Sequence, residues 1–206
     1  MTNPFLEIPL DIYEKHMSLD SVYQLQTLNK IMCEQLKCYD ILTPMILGVA
    51  GGNGLEHIDT NKIDIVYGVD INSKFLKTCR QRYSYLGRHF KEICLDLTEL
   101  SVCLPKVDLI IANLFIEYIG CKAFVYHMQK ICPKYISVVI QLNLGDEFVS
   151  DSPYINAFEK VEKVHHQIDK TELIESLDKI NYSCILDKKY PLPNRKIFQR
   201  FDFRAK

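Results

Sequence analysis

Apolar positions near the start of the chain follow a helical rhythm, which then gives way to short, almost unbroken apolar runs. Leu25, Leu28, Met32, Leu36 and Tyr39 recur at spacings of three and four, which predicts an amphipathic helix over about Leu19 to Tyr39. Beyond it the runs MILGVA, DIVYGVD, HFKEICLDL, VDLIIANLF and YISVVIQL read as five strands. Between them, NSKFLKTCRQRYSYL reads as a helix capped by Asn72 or Ser73, and CKAFVYHMQKIC as another. The stretch ILGVAGGNGLEHI reads as a strand running into a glycine-rich turn and then a helix. Strands of nearly continuous Val, Ile and Leu, separated by helices, call for a parallel sheet covered on both faces.

The end of the chain breaks that alternation. After a helix near Lys170 to Ile180, NYSCILDKKY and KIFQRFDF are strand-like and are joined only by PLPNR. That connection is too short for a crossover helix, so the two strands must be antiparallel neighbours. Ile197, Gln199, Phe201 and Phe203 share one face of the last strand, and Phe198, Arg200, Asp202 and Arg204 the other. The basic residues of this run read as a solvated sheet edge. No internal repeat or linker divides the chain, so its 206 residues are expected to form one α/β domain. Residues 1–40 would be an N-terminal segment and helix, and 41–206 the sheet with its hairpin.

Composition narrows the picture only a little. A formal net charge of -1 removes the electrostatic case for a nucleic-acid or anionic-membrane partner. No apolar run approaches the roughly 18 residues needed to cross a bilayer. The N-terminus carries acids and prolines in place of a secretory signal, so a cytoplasmic location is expected. The cysteines form no C-x-x-C pair and read as reduced thiols, not as a metal knuckle, and no metal site is expected.

The chemistry lies in the glycine loop. A phosphate-binding loop would need Lys-Ser or Lys-Thr after the glycines, and none follows. A dinucleotide fingerprint of G-x-G-x-x-G fits in no register. What remains is AGGNG, with Gly52 and Gly54 placed so that a side chain would keep the backbone from a ligand, and with turns that favour positive φ. Here the sequence resembles the class I S-adenosylmethionine-dependent methyltransferases. Their fold is Rossmann-like, a mostly parallel seven-stranded sheet ending in an antiparallel hairpin, with helices on both faces.

The resemblance extends from about Ile41 to Arg204 and implies S-adenosyl-L-methionine as cofactor, with S-adenosyl-L-homocysteine as product. It puts Gly48, Ala50, Gly51, Gly52, Asn53 and Gly54 in the first cofactor loop. Asp70, with Ile71, takes the place of the carboxylate that accepts both ribose hydroxyls. Asp96 and Leu97 take the place of the adenine contact, and Asn113 and Leu114 border the methionine end. One departure stands out: the family's first-motif acid falls on Gly48. The resemblance then implies that Glu56 or Asp70 supplies the missing charge, or that backbone carbonyls and water hold the amino acid end.

Methyl transfer from a sulfonium needs alignment in a dry pocket, and a base only where the nucleophile must lose a proton. Candidates to touch the acceptor are Glu117 and Tyr118 beside the fourth strand, Tyr13 and His16 (with Met17) before the first helix, and the adjacent pair His165 and His166. Adjacent histidines point in different directions and are a poor bidentate metal site. The Asn-Leu-Phe-Ile sequence at 113–116 keeps only the Asn of the element typical of DNA and protein-amide amino methylation. A small-molecule acceptor is therefore expected. The alternatives are a non-catalytic cofactor-binding relative or a protein or nucleic-acid methyltransferase.

Overall fold

The computed structural model describes residues 3–143 and 149–206. Seven strands form one sheet in the order β3-β2-β1-β4-β5-β7-β6. They are β1 (Pro44–Leu47), β2 (Val66–Asp70), β3 (Phe90–Cys94), β4 (Leu109–Asn113), β5 (Tyr135–Asn143), β6 (Tyr182–Pro191) and β7 (Lys196–Ala205). The first five pair in parallel, while β7 runs antiparallel to both β5 and β6. The helices are α1 (Leu10–Ser18), α2 (Gln24–Lys37), α3 (Ser73–Arg82), α4 (Ile116–Ile131) and α5 (Lys170–Asp178).

Alternate residues of each central strand feed two cores, as the pleat dictates. Met45, Leu47, Ile110 and Ala112 face Phe124 and Met128 of α4 and Leu173 and Leu177 of α5. Ile46, Leu109 and Ile111 face Met32 and Leu36 of α2 and Leu76 and Cys79 of α3. Asn72 is the cap of α3, its Oδ1 accepting from the N–H groups of Lys74 and Phe75. Gly120, at φ 78° and ψ 154°, breaks α4 between a first turn and the regular helix that the sequence places from Cys121.

Four expectations need correction. The long first helix begins at Gln24, and the residues ahead of it form the separate helix α1. The first strand stops at Leu47, because Gly48 and Ala50 turn the chain with φ of 69° and 46°. No α-helix follows the glycines: only a 3-10 turn spans Leu55–His57. Its covering role is taken by α2, whose Met32 side chain lies where a Cβ on Gly54 would be, 2.5 Å away. Asn53 Nδ2 donates to Leu25 O, and Asn29 Nδ2 to Glu56 Oε1.

The fourth correction concerns β7, which is an interior strand and not a solvated edge. Arg200 is 1% exposed and Asp202 is fully buried, joined by a two-pronged ion pair. Tyr39 OH and Ser137 Oγ also donate to Asp202, and Glu34 of α2 approaches Arg200 at 3.5 Å. These partners explain why the charged face of the strand can be buried.

Candidate active site

A cleft opens at the C-terminal ends of the parallel strands, where an open α/β sheet binds its ligands. Its floor comes from Gly48 and Ala50 after β1, Asp70 and Ile71 at β2, Asp96 and Leu97 after β3, and Asn113 and Leu114 at β4. Its roof comes from two segments packed together. Phe5 and Tyr13 lie near the chain start, Val149 and Phe158 after β5, and Tyr118 meets both. The rings of Phe5 and Tyr118 meet edge to face at 4.7 Å.

Asp70 is 8% exposed and organises the floor. Its Oδ2 accepts from Ala50 N at 2.9 Å and its Oδ1 from Asn72 N at 2.8 Å. Burial pushes its carboxyl above the ordinary value, against the backbone N–H groups of Asn72, Ala50 and Ile71, which pull it down. Each oxygen has a further lone pair, so the glycine loop and a bound hydroxyl can share this carboxylate. Asp96 uses Oδ1 to hold Thr98 N and Oγ1 and leaves Oδ2 open among the described residues. Leu97 beside it is buried, and its carbonyl is pinned 2.9 Å from His127 Nε2 of α4.

The absent acid has a steric explanation. Gly48 has a left-handed φ of 69°, and a Cβ there would stand 2.7 Å from the Phe115 ring. Both the backbone and the Phe115 ring penalise an aspartate there. Glu56 does not replace it, because it turns away from the cleft to Asn29, Gly54 N and Tyr83 OH. Gly51, Gly52, Asn53 and Gly54 likewise do not line the cleft. Gly51 lies under the Glu14–Arg82 ion pair, Gly52 against Tyr83 and Cys79, and Gly54 against Met32. These glycines permit close packing of the protein on itself.

Glu117 does line the cleft, and it is 2% exposed. Its Oε1 accepts from Gln141 N of β5 at 3.0 Å, while its Oε2 has no hydrogen-bond partner among the described residues. Burial pushes its carboxyl up to about 7. Tyr13 and Tyr118 also face the cleft, and their phenols are held well above the ordinary value, mainly by burial. His16 lines it too, 2.7 Å from Ser152 Oγ. Burial and the nearby Lys196 charge bring His16 down to about 4, so it is a neutral ring at neutral pH. His165 packs its ring against Tyr118, and His166 N donates to the Glu117 carbonyl; neither lines the cleft.

Asn113 spends both ends of its amide on Gln35 of α2, at 2.8 and 2.9 Å. Sequence reasoning missed Gln35, and it also missed Gln24 and Gln141, whose amides meet in the cleft wall at 2.6 Å. Neutral glutamines, two on α2 and one on β5, carry no motif that marks them. Among the described residues the cleft is lined by three carboxylates, Asp70, Asp96 and Glu117, and by no Lys or Arg. Among the described residues no cluster of His, Cys, Asp and Glu could hold a metal ion.

No family model and no curated protein sequence matches this chain. Solved structures do match over nearly its full length. Magnesium protoporphyrin IX methyltransferase from Synechocystis PCC 6803, with bound S-adenosylhomocysteine, superposes with a TM-score of 0.66 at 11% identity, covering 95% of this chain and 94% of that one. The N-methyltransferase NodS from Bradyrhizobium japonicum WM9, also with S-adenosylhomocysteine, gives 0.66 at 12% identity over 93% and 95%. The [4+2]-cyclase SpnF gives 0.64 at 9% identity over 87% and 80%. The chain therefore has the class I S-adenosylmethionine-dependent methyltransferase fold. At such identities the likeness concerns the fold, and a cyclase among these structures means that the reaction must be argued from the site.

Proposed function

We propose that this protein is an S-adenosylmethionine-dependent methyltransferase acting on a small-molecule acceptor. The observation that carries the reading is Asp70, a buried carboxylate at the tip of β2 that braces the β1 loop and keeps spare acceptor capacity toward the cleft. In this reading Asp70 takes the ribose hydroxyls, Asp96 Oδ2 the adenine amine, and the backbone of Gly48, Ala50 and Leu114 the amino acid end. When bound, the cofactor supplies an electrophilic methyl group on a positively charged sulfur.

The chain's contribution is placement and exclusion of water. Residues 3–18 and 149–164 are then the roof of the acceptor pocket, and the rings of Phe5, Tyr13, Tyr118 and Phe158 dry it. A cleft whose described lining has three carboxylates and no Lys or Arg suits a cationic cofactor. The same charge argues against a nucleic-acid acceptor, whose phosphates need Lys or Arg. Calorimetry with S-adenosylhomocysteine tests the reading directly. Micromolar binding that Asp70→Asn removes is the expected outcome, and no heat of binding at high micromolar concentration overturns it.

A second reading keeps the cofactor and changes the reaction. The glycine in place of the first-motif acid and the cyclase SpnF among the fold neighbours favour it. Tight cofactor binding without methylated product across amines, phenols, thiols and carboxylates would support that reading over the first.

A further inference from the structure

Glu117 presents a problem that the cofactor reading leaves open. A carboxylate that is 2% exposed, with one oxygen bonded and the other unpartnered, costs stability unless something in the cleft completes it. Among the described residues no Lys or Arg lines the cleft, and the histidine that does line it, His16, is neutral. A ligand can supply that partner, and a buried carboxylate oxygen selects a hydrogen-bond donor, best of all a cationic one. The rings that share its cleft point the same way, because the faces of aromatic rings such as Phe5, Tyr13, Tyr118 and Phe158 attract alkylammonium groups.

Position separates this seat from the cofactor's. The groups assigned to the nucleoside lie at β3, β2 and β1, whereas Glu117 is tied to Gln141 on β5, across β4 from the glycine loop. We propose that Glu117 Oε2 seats an amine of the methyl acceptor, a small apolar-bodied alkylamine bound as its ammonium ion. This rests on the methyltransferase reading and deepens it. The ammonium gives one proton to Glu117 Oε2. An R–NH3+ and a carboxylate become an R–NH2 and a carboxylic acid, and the nitrogen is left with the lone pair that a nucleophile needs. The elevated proton affinity of the buried carboxyl suits it to that exchange.

The test uses binding as well as turnover. Calorimetry and thermal shift compare 2-phenylethylamine with 2-phenylethanol at millimolar concentrations, with and without S-adenosylhomocysteine. The wild type is expected to prefer the amine by roughly tenfold or more, Glu117→Gln to lose the preference, and Glu117→Asp to keep part of it. Equal binding of amine and alcohol by the wild type overturns the proposal, as does a preference that survives in Glu117→Gln. Cofactor arms separate the other source of an ammonium group. If Glu117→Gln weakens S-adenosylhomocysteine about tenfold and leaves 5′-methylthioadenosine unchanged, the seat belongs to the cofactor's own amine and the acceptor assignment falls. Failure of the wild type to bind S-adenosylhomocysteine counts against the methyltransferase reading and leaves the amine comparison, made without cofactor, to judge the seat.

Discussion

Replacing Glu117 by glutamine should make the empty protein more stable, and by an amount that depends on pH in a defined way. Glutamine keeps the shape and the acceptor for Gln141 N, and removes the charge. Burial moves the Glu117 carboxyl from 4.5 to about 7 on folding. Between those values the native state holds a proton that the unfolded chain has released, so stability drains away as pH rises through the window. Above the upper value the whole penalty is present, about 3 kcal/mol from the separation of the two proton affinities. The difference between Glu117→Gln and wild type should be close to zero near pH 4.5 and grow to about 3 kcal/mol at pH 8, a shift of roughly 6–10 °C in midpoint for a chain of this size. His16, lowered to about 4, contributes the opposite slope, since its stability is present above its ordinary value and is lost on acidification. That slope is common to both proteins and cancels in the difference. Urea denaturation across pH 4.5 to 8 reads the effect. Parallel stability profiles, or a variant weaker than wild type at pH 8, would refute the claim that an uncompensated carboxylate is buried there.

Three other outcomes follow from the structure. Asp70→Asn should weaken S-adenosylhomocysteine by roughly tenfold to a hundredfold in calorimetry, the worth of a hydrogen bond to a charged acceptor; unchanged affinity would remove Asp70 from the site. Gly48→Asp, which restores the family's acid, should cost about 2 kcal/mol or more of stability from the left-handed backbone and the Phe115 ring. The cost should shrink when Phe115→Ala is added, and an equal cost in both backgrounds in denaturant titrations would show that the ring is not the obstacle. Asp202→Ala leaves Arg200 buried beside a missing partner and should cost about 3–5 kcal/mol in urea melts; a loss below about 1 kcal/mol would mean that water reaches the pair.

The strands were legible because buried parallel strands need apolar side chains on both faces, and MILGVA or VDLIIANLF can hardly be anything else. The hairpin was legible because PLPNR is too short for any other connection. The carboxylates at 70 and 96 followed from their places at strand ends. What failed depended on partners distant in sequence. GLEHI looks like a helix start, yet the surface that such a helix would cover is already filled by Met32 and Leu36. The pattern of β7 alternates as an edge strand would, and only the arrival of Glu34 and Tyr39 makes its charged face an interior one. A glycine's need for positive φ can be read from a turn, but which way its missing side chain would have pointed cannot. Gly52 and Gly54 read as ligand contacts in the sequence, and in the structure a Cβ on either would meet the protein's own side chains. Glu117 was legible as a candidate to touch the acceptor from its place after the fourth strand, but its burial has no local signal, since a first-turn acid is favoured on an exposed helix too.

The α2 helix links the glycine turn, through Asn29 and Met32, to β5 through Gln35 and to the hairpin through Glu34. A segment made before the sheet thus serves as the common rafter for both halves of it. The glycine loop has no local α-helix to stiffen it and borrows its rigidity from this beam. The loop and the distant β6–β7 pair should therefore loosen together, as one cooperative unit, whenever the beam lifts.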